Sequence, residues 1–215
     1  MIVEVWSDIV CPWCYIGKRR FEGALERFEH RNAVEIAWRS FELDPRAPRT
    51  LGIGLNEMLA GKYGVSPAQA AAMNARVSEQ ARGEGLDYRL EVARPGNTFD
   101  AHRLTHLAAT TGKRAAAVER FMHAYFVEGA EIGDPETLVR LAAEVGVDAD
   151  AARQALGGDA FAAEVRADEA RARALGVSGV PFFAIDERYG VSGAQPVELL
   201  LGALREAWES RTGAA

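Results

Sequence analysis

Cys11 and Cys14 are the only cysteines in the chain, and they stand as C-x-x-C between a strand-like run and a helix-like run. With no second pair available, neither a framework of structural disulfides nor a four-thiolate zinc site can be built. Three readings of the pair remain: a redox dithiol, half of a mixed Cys/His metal site, or two small buried residues that happen to be neighbours. The flanking residues weigh on the choice. Ile2 to Trp6 (IVEVW) is rich in the β-branched and aromatic side chains that suit a strand, and after Ser7 to Val10 the chain continues CPWCYIGKRRFEGALERF. Cys14, Phe21, Leu25 and Phe28 recur there at helical spacing, and Pro12 fits a first helical position, where its missing N–H costs nothing.

This places Cys11 at a helix N-terminus, where unpaired backbone N–H groups and the positive end of the helix dipole stabilise a thiolate. Cys11 is therefore expected to be the nucleophile. Cys14, one turn further into the helix, is expected to resolve a mixed disulfide held on Cys11. A metal site would need two of His30, His102, His106 and His123, all distant in sequence, so no metal is expected. Asp8, three residues before Cys11, is read two ways: a proton acceptor or electrostatic neighbour of the thiols, or a plain loop or cap residue.

The rest of the composition narrows the class. At 215 residues, with 48% hydrophobic and 26% charged side chains, the chain can bury a core of its own and does not read as disordered. Its 25 basic and 31 acidic side chains give a net charge of -6, the wrong sign for binding phosphate backbones, so no nucleic-acid partner is expected. No apolar run approaches the roughly 20 residues of a membrane span. Met1 leads into the strand-like run without a basic start followed by an apolar stretch, and the expected location is cytoplasmic, with no membrane partner.

Along the chain, Val34, Ile36 and Trp38 alternate with Glu35, Ala37 and Arg39 as a second strand. From Pro45 to about Gly158 the pattern turns helical, apart from a weak strand signal over Tyr88 to Val92. Ser66-Pro67 and Asp134-Pro135 are helix starts; Leu138, Leu141, Ala142 and Val145 form a stripe that stops at Gly146. A helix from about Asp159 to Leu175, with its acidic and arginine-rich face in solvent, precedes VSGVPFFAI, a turn near Asp186 to Gly190, a short strand and a final helix. That last helix carries Val197, Leu200, Leu201, Leu204 and Trp208 on one face. The fold class is α/β, with a discontinuous core over 1–45 and 159–215 and a helical insertion over 46–158. Pro181 interrupts a run that otherwise reads as a strand, which a strand entry or a cis bond would reconcile. Trp6, Trp38, Phe41 and Trp208 are expected in the core.

The segments SDIVCPWCYIG (Ser7 to Gly17), WRSFELDP (Trp38 to Pro45), NTFDAHRL (Asn97 to Leu104), GVSGVPFFAI (Gly176 to Ile185) and GVSGAQP (Gly190 to Pro196) resemble the DsbA family of thioredoxin-fold oxidoreductases, more closely its FrnE-like subgroup. The resemblance spans nearly the whole chain. It implies a thioredoxin-like fold with a large all-helical insertion and protein disulfide oxidoreductase or isomerase activity. It also implies a cis Pro181 beside the dithiol and, at Val180, backbone groups that hold an extended substrate strand. Pro12 and Trp13 lie in the same substrate-facing loop. DsbA carries a histidine between its cysteines, where this chain has Pro12-Trp13; an indole is a weaker thiolate partner than an imidazolium, so a less acidic Cys11 and a less oxidising pair are expected.

Relatives of the fold, the kappa-class glutathione transferases and 2-hydroxychromene-2-carboxylate isomerases, work with glutathione and carry serine at the position of Cys11. This supplies a second reading, a glutathione-dependent isomerase or transferase acting on a small aromatic molecule. Asn97, His102 and Gln195 resemble positions lining the cleft of those relatives; the plainer roles for these residues are a cap, a packed helix residue and part of a turn. A third reading is a chaperone-like module that binds peptides. The expected partners are a disulfide-containing protein or peptide, with glutathione as a cosubstrate or a thioredoxin-type protein as redox partner. No prosthetic cofactor is expected, and the chain is expected as a monomer or homodimer.

Overall fold

The alternation in the first strand sorts its side chains onto two faces of a four-stranded sheet. The computed structural model describes residues 1–212 and orders the strands β2-β1-β3-β4. These are β1 (Ile2–Ser7), β2 (Glu35–Ser40), β3 (Phe182–Ile185) and β4 (Tyr189–Ser192). The pair β1–β2 is parallel, bridged by helix α1 (Pro12–Glu26), while β1–β3 and β3–β4 are antiparallel. Val3, Val5, Phe183 and Ile185 belong to the main core, which includes Phe21 of α1 and Leu200, Leu201 and Leu204 of the last helix, α9 (Val197–Thr212). The Phe21 and Phe183 rings lie 5.2 Å apart. On the opposite face Trp6 packs with Ala172, Val177 and Ala184, and its indole N–H donates to the carbonyl of Asp168 at 3.0 Å.

Between β2 and α8 (Ala162–Ala174) the chain runs through α2 (Leu55–Tyr63), α3 (Pro67–Gly83), α4 (Phe99–Ala109), α5 (Arg114–His123), α6 (Pro135–Glu144) and α7 (Ala149–Gly157). A π-helical turn over Ala124–Glu128 follows α5. The local start signals act as read: Ser66 and Gln69 form a capping box, and the Asp134 carboxylate accepts the Thr137 N–H at 2.8 Å. Gly146, at φ +81, ends the stripe of α6 in the left-handed conformation that favours glycine.

Two expectations need correction. Tyr88 to Val92 is not a strand: Arg89 N–H donates to the carbonyl of Phe126 at 2.7 Å, and the Tyr88 ring stacks on Phe126 at 4.6 Å. The apolar side chains that suggested a strand are buried in the helical core instead. The face of α8 is not solvated throughout, because Asp168 and Glu169 are 3% and 7% exposed and turned toward the β2 strand and the segment after it. The Trp208 expectation is met in part, since its ring is half-buried and stacked on exposed His30 at 4.3 Å.

The β3–β4 hairpin turns through Asp186 and Glu187 at φ +48 and +58, and Arg188 N–H bonds the carbonyl of Ile185 at 3.1 Å. Two successive left-handed residues make the tight hairpin turn that glycine or asparagine fits best. Asp186 has a second duty, accepting the Ile2 N–H at 2.8 Å, but Glu187 has only an exposed ion pair with Arg171. Glu187→Gly is therefore expected to stabilise the fold by about 0.5–1 kcal/mol. Thermal unfolding should rise by about 1–4 °C.

Candidate functional site

Cys11 occupies the N-cap of α1 and Pro12 its first helical position, so the first-turn N–H groups open toward the dithiol. The loop before it is closed by the Cys11 N–H on the carbonyl of Asp8 at 3.2 Å. Both thiols are free and buried, Cys11 4% and Cys14 1% exposed. The Cys11 thiol donates to the carbonyl of Val180 at 3.6 Å, a link across 169 residues that joins the helix start to the β3 entry. Burial pushes the Cys14 thiol well above its ordinary range; the hydrogen bond and charge of Cys11 raise it further, and the Asp8 N–H directed at its sulfur offsets only part of this. Cys14 is thereby held as a protonated thiol.

Val180-Pro181 is a cis peptide bond, which resolves the conflict of a proline inside a strand-like run. The Pro181 carbonyl accepts the Gly193 N–H at 2.8 Å, tying the β3 entry to the turn after β4. Gly17 completes the contact. A Cβ there would sit 2.8 Å from Pro181 Cγ, so only glycine lets α1 approach the proline ring this closely. Gly17→Ala is expected to cost about 1–3 kcal/mol in chemical denaturation, as overpacking against a rigid ring does.

Of the remaining residues singled out in the sequence, Pro12 and Trp13 lie between the two cysteines. Trp13 is 41% exposed. The Pro12 carbonyl accepts the Tyr88 hydroxyl at 2.8 Å. Asn97 stands one residue before Thr98, the N-cap of α4; its side-chain oxygen accepts the Phe99 N–H at 2.9 Å, while its amide reaches Glu42 at 3.4 Å. The Gln195 amide folds back onto the carbonyl of Ser192 at 2.8 Å. His102, 3% exposed, brings Nε2 to 3.3 Å from Oδ1 of Asp8, and Asp8 itself is 1% exposed with Oδ2 accepting the Leu43 N–H at 2.7 Å. Among the described residues no cluster of three or more His, Cys, Asp or Glu side chains is spaced to hold a metal ion.

Three further groups join the site that sequence reading missed. Tyr88 pins the CPWC dipeptide from the irregular segment after α3, and burial keeps its hydroxyl protonated. Tyr125, on the π-helical turn, is buried near Asp8, and both burial and that carboxylate raise its phenol. Glu42 lies behind His102; burial raises its carboxyl against the pull of Arg166, and the charge of Glu169 adds to the rise. None of the three is adjacent in sequence to the dithiol, and no local pattern marks them.

Comparison with known proteins places this geometry. The sequence pattern described as the DSBA-like thioredoxin domain matches residues 2–205. The YwbO protein of Bacillus subtilis (strain 168) is 30% identical over 155 residues, 72% of this chain and 70% of its own length. The crystal structure of a probable DsbA oxidoreductase, SCO1869 of Streptomyces coelicolor, is 48% identical, with a TM-score of 0.94 over 97% of this chain and 90% of that one. A 2-hydroxychromene-2-carboxylate isomerase shares the fold at 18% identity, with a TM-score of 0.71 over 100% of both chains.

Proposed function

Because the chain belongs to the DSBA-like thioredoxin domain family, we propose that it is a thiol-disulfide oxidoreductase or isomerase with Cys11 as nucleophile and Cys14 as resolving thiol. The observation that carries the reading is the placement of Cys11 at the N-cap of α1, its sulfur against the carbonyl that precedes cis-Pro181. The Cys11 thiolate attacks one sulfur of a substrate disulfide in line with the other, which leaves as a thiolate. Cys14 then loses its proton and attacks the Cys11 sulfur; the Cys11–Cys14 bond forms and the second substrate sulfur departs. Two electrons pass from the dithiol to the substrate. Run backwards, the same steps oxidise a dithiol substrate.

A disulfide-containing protein or peptide fits the partner side of this reading. The backbone at Val180 and the exposed Trp13 and Leu43 offer an extended segment both hydrogen-bonding groups and apolar surface beside the dithiol. A glutathione or thioredoxin-type partner would reset the pair. Pro12 and Pro181 shape the rim, whereas Asn97, His102 and Gln195 would have to release their present partners to touch a substrate. No helix among the described residues is long and apolar enough to cross a membrane. A cytoplasmic dithiol would often rest reduced, and reductase or isomerase duty follows from that setting.

The test is equilibration of the protein in glutathione buffers of graded poise, acid-quenched and weighed intact, with tryptophan fluorescence alongside. A reversible Cys11–Cys14 disulfide with a defined midpoint is expected. A lasting single glutathione adduct, or tight glutathione binding with no internal disulfide, would replace this reading with the glutathione-dependent isomerase or transferase one.

A further inference from the structure

A thiolate on Cys11 draws on the N–H groups of the first turn of α1, and those groups can be counted. Pro12 has none, the Cys11 N–H is taken by the carbonyl of Asp8 at 3.2 Å, and the Cys14 N–H by the carbonyl of Cys11 at 3.0 Å. That leaves the Trp13 N–H, at the second helical position, with no acceptor among the described residues. An N-cap side chain bonds the N–H two or three residues ahead of it. As a thiol Cys11 makes no such cap bond, and its sulfur donates to the Val180 carbonyl instead. The Trp13 N–H is therefore the donor available to the ionised sulfur.

The other end of that amide is the Pro12 carbonyl, which accepts the Tyr88 hydroxyl at 2.8 Å. In a regular helix such a carbonyl serves only the N–H four residues on. The tyrosine is an addition from outside α1, brought by the segment between α3 and α4. Tyr88 is 6% exposed, and its ring lies stacked 4.6 Å from Phe126 and 6.1 Å from Tyr15, which fixes where the hydroxyl points. A donor on an amide oxygen draws electron density onto it and makes the N–H of the same amide a stronger donor, and away from water the effect is little screened.

The ionisable groups facing the hydroxyl are Cys11, Cys14, Tyr15 and Arg19, all on α1. Burial raises the Tyr88 phenol, and the charges of Cys11, Tyr15 and Cys14 raise it further against the pull of Arg19, so it stays a neutral donor wherever the thiols titrate. Tyr15 is raised by burial and by its bond to Glu119 of α5, and it stays neutral as well. Asp8 faces Cys14 from the loop before α1.

We propose that Tyr88 is a positioning residue that acts on Cys11 through the Pro12–Trp13 amide: its hydroxyl polarises that amide, and the Trp13 N–H thereby stabilises the Cys11 thiolate and the reduced form of the pair. The proposal rests on the exchange reading above and concerns its first step. There the Cys11 thiolate bonds one substrate sulfur, and the other leaves as a thiolate with the electron pair of the broken S–S bond. Tyr88 ties that step to the helices between β2 and α8 and makes the pair more oxidising than the dipeptide and the helix end do alone.

Tyr88→Phe keeps the stacked ring and removes only the hydroxyl. Reduced protein is alkylated with iodoacetamide from about pH 4 to pH 10, quenched with acid and mapped by mass, which gives the pH profile of Cys11 ionisation. In the variant the profile is expected to move to higher pH, equivalent to about a threefold loss of acidity. In glutathione buffers above the midpoints of both profiles, the equilibrium constant for oxidation should rise by about the same factor, because the reduced form is the one that loses stabilisation. The Trp13 amide proton, followed by NMR, should shift as Cys11 ionises in the wild type, and less so in the variant. Tyr15→Phe removes the neighbouring hydroxyl of the same stack without touching the amide, and it should leave the profile in place. An unmoved profile in Tyr88→Phe, an equal movement in Tyr15→Phe, or a Trp13 amide indifferent to Cys11 ionisation overturns the proposal. A wild-type protein that forms no internal disulfide is a different failure, that of the exchange reading, and the alkylation profiles still decide the role of Tyr88.

Discussion

Cys11→Ser is expected to abolish reduction of a protein disulfide such as that of insulin, a loss of at least on the order of 10³-fold, since a hydroxyl is not a nucleophile toward sulfur at neutral pH. Cys14→Ser gives a different phenotype with the same turnover loss. The Cys11 thiolate still attacks, but with the resolving sulfur gone the mixed disulfide persists and the variant should accumulate one covalent adduct per chain. The asymmetry follows from the structure, in which Cys11 meets the carbonyl of Val180 that precedes cis-Pro181 and Cys14 is sealed one turn deeper. Because burial holds the Cys14 thiol high, the conversion of adduct to disulfide is the step that should gain with rising pH. Three functional classes separate on these two variants. Exchange activity vanishes in both if the dithiol reading is right; glutathione conjugation survives Cys11→Ser if the serine-type relatives are the better guide; suppression of aggregation is indifferent to both if the chain only binds peptides. Retention of full disulfide-reducing activity by Cys11→Ser would end the central assignment.

How far the site was legible depended on the range of the interactions that build it. The strand from Ile2, the helix from Pro12 and the N-cap position of Cys11 are set by periodicity and by one proline, all within a few residues, and they appear as read. The cis bond at Pro181 was an open conflict in the residues alone, and the family resemblance chose the answer that the structure carries. Gly17 shows what lies past that limit: its lack of a side chain matters because of Pro181, 164 positions later by sequence number, and no helical pattern reveals it. Asp8 and His102 are likewise 94 residues apart, so the sequence leaves each with both a functional and a plain reading, and their mutual contact is visible only once the chain is folded. Tyr88 to Val92 carried the composition of a strand, but what decides a strand is a neighbour to pair with, and the neighbour here is a π-helical turn. Charge misled in the same way on α8, where surface-like acidic residues are the ones that hold the sheet.

The largest effect on stability is expected from Asp168, one of those residues. Its carboxylate, 3% exposed, accepts the Ser40 N–H at 2.9 Å and meets Arg39 at 3.0 Å, Arg114 at 3.1 Å and His106 at 3.1 Å. Burial alone would raise the carboxyl, but His106, the Ser40 N–H and Arg114 outweigh it and bring it down from 3.8 to about 2. Asp168→Asn keeps an oxygen for Ser40 but leaves the Arg114 guanidinium, which burial already disfavours, without its counter-charge. Stranding a buried charge typically costs about 3–5 kcal/mol. Urea unfolding at pH 7 should show a loss of that order, and Asp168→Asn with Arg114→Met should be less destabilised than the single variant, because the orphaned cation is gone. The sign with pH is fixed by the lowered carboxyl. Its contribution is complete above about pH 4 and disappears as pH falls through about 2, worth about 2 kcal/mol by linkage. Glu119 titrates in the same window, since Arg19, Lys18 and Tyr15 outweigh its burial and bring it to about 2. The difference between wild type and Asp168→Asn, not the wild-type curve alone, therefore isolates Asp168: it should shrink from pH 4 to pH 2. A constant difference across that range would mean that the carboxylate's charge is not what holds α8 to β2. Since Ser40 leads directly to Glu42 and Leu43, the same anchor also fixes the segment that donates to Asp8 beside the dithiol.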